Sequence, residues 1–163
     1  MLYITLGTQA CDFSRCLKMV EELVERYNIE EPIIAQVGYT KYKPKNVACF
    51  EFVSESEYQR YMEEARIIIT HAGTGAIFSA IKHRKKTIAV ARLAKYGEMI
   101  NDHQTEIVSK LANDGYILDG TYSLVDAWEK ISDFIPRQND FTCELPIQIK
   151  KTLDAWGINK KNL

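Results

Sequence analysis

The pentapeptide His71-Ala72-Gly73-Thr74-Gly75 carries the clearest chemical signal in the sequence. It follows the apolar run 67–70 and precedes a predicted helix. Two glycines separated by one residue let the backbone turn tightly and approach a ligand closely. The positive end of the helix would face that ligand, so we expect an anion there. His71 could donate a hydrogen bond to a phosphate oxygen or could simply cap the loop, and the spacing leaves both interpretations open.

Two common nucleotide-binding motifs are absent from this loop. The phosphate-binding motif G-x-x-x-x-G-K-[ST] needs a lysine that the sequence lacks, and the dinucleotide fingerprint needs a third glycine where Phe78 stands. The pattern therefore argues against an ATPase or a nicotinamide-dependent enzyme. A glycine-rich turn between a strand and a helix can also be purely structural.

Polar residues follow three other predicted strands. They are Gly7-Thr8-Gln9 after the first, Gln36-Val37-Gly38 after the second, and the stretch 91–104 after the fifth. Because the carboxyl ends of parallel strands lie at one edge of a sheet, these loops should converge in a crevice. Arg92 has a fork of donors that suits phosphate, or it is an ordinary solvated arginine.

Four hydrogen-bonding side chains occur together at the start of a predicted helix, namely Asn101, Asp102, His103 and Gln104. Helix capping accounts for one of them, Asn101 or Asp102. The others would suit a ligand rich in hydroxyl groups if they face the crevice.

Short apolar runs alternate with amphipathic segments along the chain. Strands are predicted at 2–5, 33–37, 47–53, 67–70, 87–91 and 116–118. A polar loop at 39–46 separates the second strand from the third, and helices are predicted between the other strands and near 124–134 and 145–157. Asp12 or Ser14 could cap the first helix, and Ser54 with Glu57 forms a capping-box pattern for the second.

This alternation predicts an α/β fold, a Rossmann-like, mostly parallel sheet with helices on both faces, in a single domain spanning residues 1–163. Residues 38–46 are few for a parallel crossover between the second and third strands. An antiparallel pair, and therefore a mixed sheet, stays open as an alternative.

Composition limits the classes of function. The 163 residues are 46% hydrophobic and carry a formal net charge of −1, which argues against general binding of nucleic acid. Four cysteines form no C-x-x-C pair and no zinc-type spacing, which indicates free thiols in a reducing cytosol. The amino-terminal apolar run is too short for a signal peptide, and no run is long enough to span a membrane.

Two segments could contact a partner or a membrane. The predicted helix at about 145–157 has Ile149, Leu153 and Trp156 on one stripe with lysines around it. It would pack on its own sheet, or dock onto a partner or a membrane surface. The basic run 82–86 is expected to be a solvated helix end.

A family resemblance rests on four strings: GTQ-x3-F-x-R-x-L at 7–17, AQVG at 35–38, ITHAGTGAI at 69–77 and ARLAKYGEMINDHQTEI at 91–107. They resemble the donor-binding half of two-component glycosyltransferases. That group includes subunits of bacterial capsular and exopolysaccharide transferases and the cytosolic half of the eukaryotic dolichol-linked UDP-N-acetylglucosamine transferase. The family 28 C-terminal domain of the peptidoglycan transferase is similar more distantly. The resemblance covers about the first two thirds of the chain.

The resemblance implies the C-terminal half of a GT-B fold that binds a UDP-sugar as substrate, with no cofactor and no metal. The diphosphate would lie against the amides of residues 73–76. The donor-binding residues implied are Gly7, Thr8, Gln9, His71, Gly73, Thr74, Gly75, Ala76, Arg92, Glu98, Asp102, His103 and Gln104. The sugar hydroxyls would meet the last three. The lack of a D-x-D pair agrees with metal independence, and no catalytic residue is assigned.

The same resemblance implies a membrane-anchored partner subunit that supplies the acceptor site. The chain would then be a hexosyltransferase, active with that partner, that extends a lipid-linked saccharide in capsule, exopolysaccharide or lipid-linked oligosaccharide synthesis. It would be cytoplasmic and peripheral at the membrane face. The alternatives are a nucleotide-sugar-binding regulatory subunit without turnover and an unrelated flavodoxin-like binding module.

Three positions depart from the family pattern. Ser79 stands where an acidic residue commonly holds ribose hydroxyls, and Ala91 replaces the proline that usually precedes Arg92. Arg84 stands where a glycine is common, which predicts a changed turn.

Overall fold

Within residues 1–138, six strands form a central sheet in which neighbouring strands are parallel. The computed structural model describes residues 1–138. The strands are β1 (Leu2–Thr5), β2 (Ile33–Gln36), β3 (Ala48–Phe50), β4 (Ile67–His71), β5 (Lys86–Val90) and β6 (Leu118–Asp119). Their order across the sheet is β3-β2-β1-β4-β5-β6, which is the order of a Rossmann sheet. The predicted fold class is confirmed.

Helices cover both faces of this sheet. They are α1 (Ser14–Tyr27), α2 (Glu55–Glu64), α3 (Thr74–Lys82), α4 (His103–Asn113) and α5 (Leu124–Glu129). Because side chains alternate along a strand, Leu2 and Ile4 of β1 pack with α1 and α5, whereas Tyr3 packs with α2 and α3. A further part of the core lies between α3, α4 and β5.

Residues 37–47, all of them described, connect β2 to β3 without a helix. Within this loop Pro44 is buried and Tyr42 packs against the core cluster that contains α1. Asp12 and Glu21 accept hydrogen bonds from backbone N–H groups of the loop, at 3.1 and 3.2 Å. The loop covers this side of the sheet as a crossover helix normally does, so β3 pairs parallel to β2. The alternative of a mixed sheet is therefore wrong.

The two capping predictions have opposite outcomes. Phe13 takes the N-cap position of α1 and provides no capping side-chain bond, and the hydroxyl of Ser14 donates to Asp12 instead. Capping of α1 by either polar residue is therefore wrong. The capping box of α2 is confirmed, because Ser54 and Glu57 each accept from the other's backbone N–H.

The turn after α3 contains a residue in the left-handed backbone conformation. Arg84 has a φ of 55°, and its N–H donates to the carbonyl of Ile81 at 2.8 Å. This is a conformation that glycine adopts without strain. Arg84 therefore adopts a conformation that suits glycine, and a turn changed from that of the family stays a prediction.

The carboxyl-terminal prediction is only partly within the described residues. The helix predicted at 124–134 ends at Glu129, and the helix predicted at 145–157 lies outside the described residues. Among residues 1–138, no helix combines the length and apolar character required to cross a bilayer.

The strand order reverses between β1 and β4. The chain runs from β1 to β2 and β3 on one side and then returns to place β4 on the other side of β1. Thr5 is in register with Gln36 and Thr70, so β1 and β2 end at the same level and β4 ends one residue further on. In open α/β sheets the loops diverge at such a reversal and leave a crevice for ligands.

Candidate functional site

A groove of about 320 Å³ opens at the carboxyl edge of the sheet, at the reversal between β1 and β4. Loops after β1 to β4 and the first turns of α2 and α3 form its walls. The residues that line it are Thr5, Gly7, Thr8, Gln36, Val53, Glu55, Tyr58, His71, Gly73, Gly75 and Ala76. Apart from Gln9 and Thr74, every residue predicted from the first and fourth loops is among them.

The amino end of α3 forms one wall of the groove. Gly73 is its N-cap residue, and the Ile77 N–H donates to the Gly73 carbonyl at 3.1 Å. The N–H groups of Thr74, Gly75 and Ala76 therefore have no acceptor within the helix. This first turn, which is wholly described, contains no acidic side chain. A Cβ at Gly75 would meet no described neighbouring atom within 4 Å, so an anion has room beside these N–H groups.

His71 lies between two glycines. A Cβ on Gly73 would lie 2.2 Å from His71 Nε2, and a Cβ on Gly7 would lie 2.6 Å from the same atom. Gly7 also has a φ of 75°, which side-chain-bearing residues rarely adopt. Both positions therefore require glycine to accommodate the imidazole ring, independently of any ligand.

The imidazole of His71 is neutral near pH 7. Burial is the main cause and the nearby Arg92 charge the second, and together they lower its pKa to about 4. Nδ1 lies 3.2 Å from the Thr5 carbonyl oxygen, so we place the proton of the neutral ring on Nδ1. This geometry matches the loop-capping interpretation. Donation to phosphate from Nε2 would require a second proton.

Arg92 does not line the groove. Its side chain is 2% exposed, and its guanidinium donates to the Leu6 carbonyl at 2.6 Å and to Gln9 Oε1 at 3.0 Å. The ring of Phe13 lies 5.3 Å from the guanidinium carbon. The solvated-arginine interpretation is wrong, and the structure does not bring Arg92 to the predicted phosphate position. Arg92 instead holds the loop after β1 from beneath.

Glu98 is also engaged inside the protein rather than in the groove. Its carboxylate is 4% exposed and accepts two hydrogen bonds from Arg15 and one from the Leu93 N–H, each at 2.9 Å. Arg15 donates as well to the carbonyls of Ala91 and Thr121, at 2.6 and 2.7 Å. This pair of a buried carboxylate and a partly buried guanidinium ties α1 to the loops after β5 and β6.

The polar residues at the start of α4 fold the loop after β5 back on itself. Gln104 Oε1 accepts from the Arg92 N–H at 3.0 Å, and Asp102 accepts from the Ala94 N–H at 2.7 Å. Asp102 occupies the N-cap position of α4, but its side chain does not cap the helix. His103 is exposed, beside Glu106. We call the hydrogen-bonded residues around the loops after β1 and β5 the rim network: Gln9, Arg15, Arg92, Glu98, Asp102 and Gln104.

Tyr58, Gln36, Val53, Glu55 and Thr5 line the groove but were not predicted as site residues. The sequence indicates Gln36 only as part of a loop, although it is a buried polar residue at a strand end. Glu55 and Tyr58 belong to a helix whose pattern is that of an ordinary surface helix. Burial raises the pKa of the Tyr58 phenol, so it keeps its proton. No local signal separates these two residues from their exposed neighbours.

Within residues 1–138, no group of three or more His, Cys, Asp and Glu side chains is arranged to hold a metal ion. Metal independence of any transfer reaction stays a prediction.

Comparison with known proteins relates this architecture to glycosyltransferases. Residues 1–140 match the family model described as glycosyltransferase family 28 C-terminal domain. The UDP-N-acetylglucosamine transferase subunit ALG13 of Candida glabrata is 27% identical over 145 residues, which cover 83% of this chain and 70% of that protein.

Solved structures show the same fold at low sequence identity. The solution structure of ALG13 has a TM-score of 0.59 at 16% identity and covers 84% of this chain and 87% of its own. The kitacinnamycin glycotransferase has a TM-score of 0.60 at 14% identity and covers 83% of this chain and 35% of its own. SnogD from Streptomyces nogalater has a TM-score of 0.53 at 16% identity and covers 81% of this chain and 34% of its own.

The matched part of this chain thus corresponds to about a third of the length of SnogD and of the kitacinnamycin glycotransferase. In architecture it corresponds to one of the two halves of a GT-B glycosyltransferase fold. The family match extends over all the described residues and includes the groove and the rim network. The protein therefore belongs to the glycosyltransferase family 28 C-terminal domain family.

Proposed function

We propose that this chain is the donor-binding subunit of a two-part glycosyltransferase and that its groove holds the diphosphate of a UDP-sugar. The observation that carries the proposal is the open space at Gly75 beside the first-turn N–H groups of α3, at the strand reversal. Family membership supports glycosyl transfer. The similarity to ALG13, a UDP-N-acetylglucosamine transferase subunit, supports a UDP-sugar, with UDP-N-acetylglucosamine as the first donor to test.

The chemistry of glycosyl transfer explains how the N–H groups at the amino end of α3 would help the reaction. The bond between the anomeric carbon and the diphosphate oxygen breaks, a bond to the acceptor oxygen forms, and the acceptor proton passes to a base. Negative charge increases on the departing UDP, so fixed N–H groups and a helix terminus stabilise the transition state more than the ground state. These groups can do this without a metal ion.

The rim network is assigned to positioning rather than to direct contact with phosphate. Arg92 bonds to the loop after β1, and Glu98 bonds to Arg15 and to the loop after β5. We assign the sugar hydroxyls to the exposed start of α4, where Asp102 and His103 lie at the same edge of the sheet.

The acceptor site and the general base are assigned to a second, membrane-anchored subunit. ALG13 is named as a subunit of a transferase, which supports an assembly of this kind. The acceptor would be a lipid-linked saccharide at the cytoplasmic membrane face. The hexosyl product would belong to lipid-linked oligosaccharide, capsule or exopolysaccharide synthesis.

Substitution of Gly75 by aspartate tests the donor site. A carboxylate in the first turn of α3 stabilises the helix through its dipole but competes with phosphate for the same N–H groups. We expect Gly75→Asp to keep or raise the melting temperature and to abolish shifts caused by UDP and UDP-N-acetylglucosamine in a protein-observed NMR titration. Ser109→Asp, on the exposed part of α4, is the matched control and should bind as the wild type does.

Wild-type protein that shows no shifts at millimolar UDP or UDP-sugar would contradict the donor-binding proposal. Unchanged binding by Gly75→Asp would show that the α3 wall is not the site. Transfer to a lipid-linked acceptor, measured after co-expression with the candidate partner, separates a catalytic subunit from a regulatory one. Activity that Gly75→Asp abolishes supports the first, whereas binding without any turnover supports the second.

A further inference from the structure

The wall of the groove formed by α2 carries a negative charge. Among the described residues that line the groove, Glu55 alone is acidic. It lies in the first turn of α2, whereas the N–H groups that suit an anion belong to α3. A ligand that contacts both walls therefore needs an anionic group at one end and hydrogen-bond donors at the other.

Neighbouring residues orient the Glu55 carboxylate. Gln59, one turn further along α2, donates from Nε2 to Glu55 Oε1 at 2.7 Å. Each carboxylate oxygen can accept two hydrogen bonds, so acceptor capacity remains for a ligand. Tyr58 lies close enough for the Glu55 charge to raise the pKa of its phenol, after the larger effect of burial. The phenol also has a side-chain hydrogen bond with Ser79, so these two hydroxyls are partly satisfied by each other.

We propose that Glu55 binds the 2′- and 3′-hydroxyl groups of the nucleotide ribose while the diphosphate lies against α3, and thereby selects ribonucleotide donors over deoxyribonucleotide donors. This inference rests on the proposed function. Two vicinal hydroxyls are paired donors that complement a carboxylate. In Rossmann sheets with this strand order, an acidic side chain commonly binds the ribose hydroxyl next to a diphosphate held at a helix amino end.

The experiment compares ligands that differ only in these hydroxyls. UDP and 2′,3′-dideoxy-UDP are titrated by NMR into the full chain as wild type, Glu55→Gln and Glu64→Gln. Glu64→Gln removes the same charge from the far end of α2, where the side chain is exposed and lies outside the groove. Inorganic diphosphate serves as the probe of the α3 wall alone.

The wild type should bind UDP about tenfold more tightly than the dideoxy nucleotide, which is the scale of one hydrogen bond to a charged group. Glu55→Gln should reduce UDP affinity to the dideoxy level and leave the affinities for dideoxy-UDP and diphosphate unchanged or slightly higher. Glu64→Gln should behave as the wild type does. Glu55→Asp, which keeps the charge on a shorter side chain, should retain part of the preference for UDP.

Two results would overturn the inference while the proposed function stands. One is UDP affinity that Glu55→Gln leaves unchanged, and the other is an equal loss for UDP and dideoxy-UDP. Wild-type protein that binds neither UDP nor diphosphate would overturn the proposed function, and this inference with it. Thermal unfolding of each variant confirms that the comparison is made between folded proteins.

Discussion

The groove and the rim network lie side by side at one edge of the sheet, but they use polar groups in opposite ways. In the groove, the N–H groups of α3 and the glycines around His71 border open space. In the rim network, Arg92 and Glu98 are 2% and 4% exposed and bond to the protein itself. Backbone N–H groups therefore form the wall proposed to face the diphosphate, while the buried charges of Arg92 and Glu98 hold neighbouring loops.

This difference predicts that substitutions in the two regions change different quantities. Substitutions of the buried rim-network residues Arg92 and Glu98 should act mainly on the free energy of unfolding, because they break buried polar contacts. Substitutions at open positions of the groove, such as Gly75, should act mainly on ligand binding. Positions that fit neither rule would show that the two regions are coupled.

The largest effect is expected in the rim network at Glu98. Glu98→Ala leaves the Arg15 guanidinium without its carboxylate partner, so we expect a loss of about 3–5 kcal/mol in the free energy of unfolding, measured by urea denaturation. The control is Arg66→Ala, which breaks the pair with Glu31 at a side chain that is 56% exposed. That change should cost about 0–1 kcal/mol. Equal losses would contradict the contrast between a buried and an exposed pair.

The next effect concerns pH and His71. The unfolded histidine takes up a proton near pH 6.5, but the native one does so only near pH 4, so the unfolded state binds more protons in this window. The free energy of unfolding should therefore decrease by up to about 3 kcal/mol as the pH falls from above 6.5 towards 4. The measurement is the difference in unfolding free energy between wild type and His71→Gln across this range. A difference that does not change with pH would show that His71 titrates normally.

A smaller effect is expected from Gly73→Ala. The new Cβ would lie 2.2 Å from His71 Nε2, so the ring must move, at a cost of about 1–3 kcal/mol in unfolding free energy. The cost should largely disappear in a His71→Ala background. Gly75→Ala is the matched control, because its Cβ enters open space, and it should be neutral or stabilising by up to about 1 kcal/mol. An undiminished cost without the imidazole would contradict this account of Gly73.

The smallest effect is expected outside both regions, at the end of α3. Arg84→Gly relieves a left-handed conformation and should raise the unfolding free energy by up to about 1 kcal/mol, with UDP binding unchanged. Asn28→Gly, at a φ of 45°, should gain less because asparagine tolerates this conformation better. Thermal unfolding and the UDP titration measure the two quantities. A change in UDP affinity would mean that α3 transmits strain to the groove.

The fold could be predicted largely because its signals are local. Apolar runs such as 67–70 and polar strand-to-helix turns such as His71–Gly75 indicate element type and order without knowledge of partners. The connection from β2 to β3 could not be predicted, because its covering of the sheet depends on contacts with Asp12 and Glu21. Those contacts exist only once α1 is in place.

The site was predicted in part for the same reason. Gly7, His71 and Gly75 stand in loops whose composition marks them, and the structure brings them to one groove. The burial of Glu98 was not predictable, because its partner Arg15 lies 83 residues away and the topology alone brings them together. Glu55 was missed because an acidic residue in the first turn of a helix is also the ordinary choice for stability.

The position of β1 has a consequence for biosynthesis. Leu2 is translated before both of its pairing partners, which are Ile33 on one side and Ile67 on the other. One edge of this apolar strand must stay unpaired until the β4 segment has been translated. Nascent chains that expose such edges are prone to self-association, and contacts of this sequence separation slow folding. Translation speed between the β1 and β4 segments should therefore influence the yield of native protein.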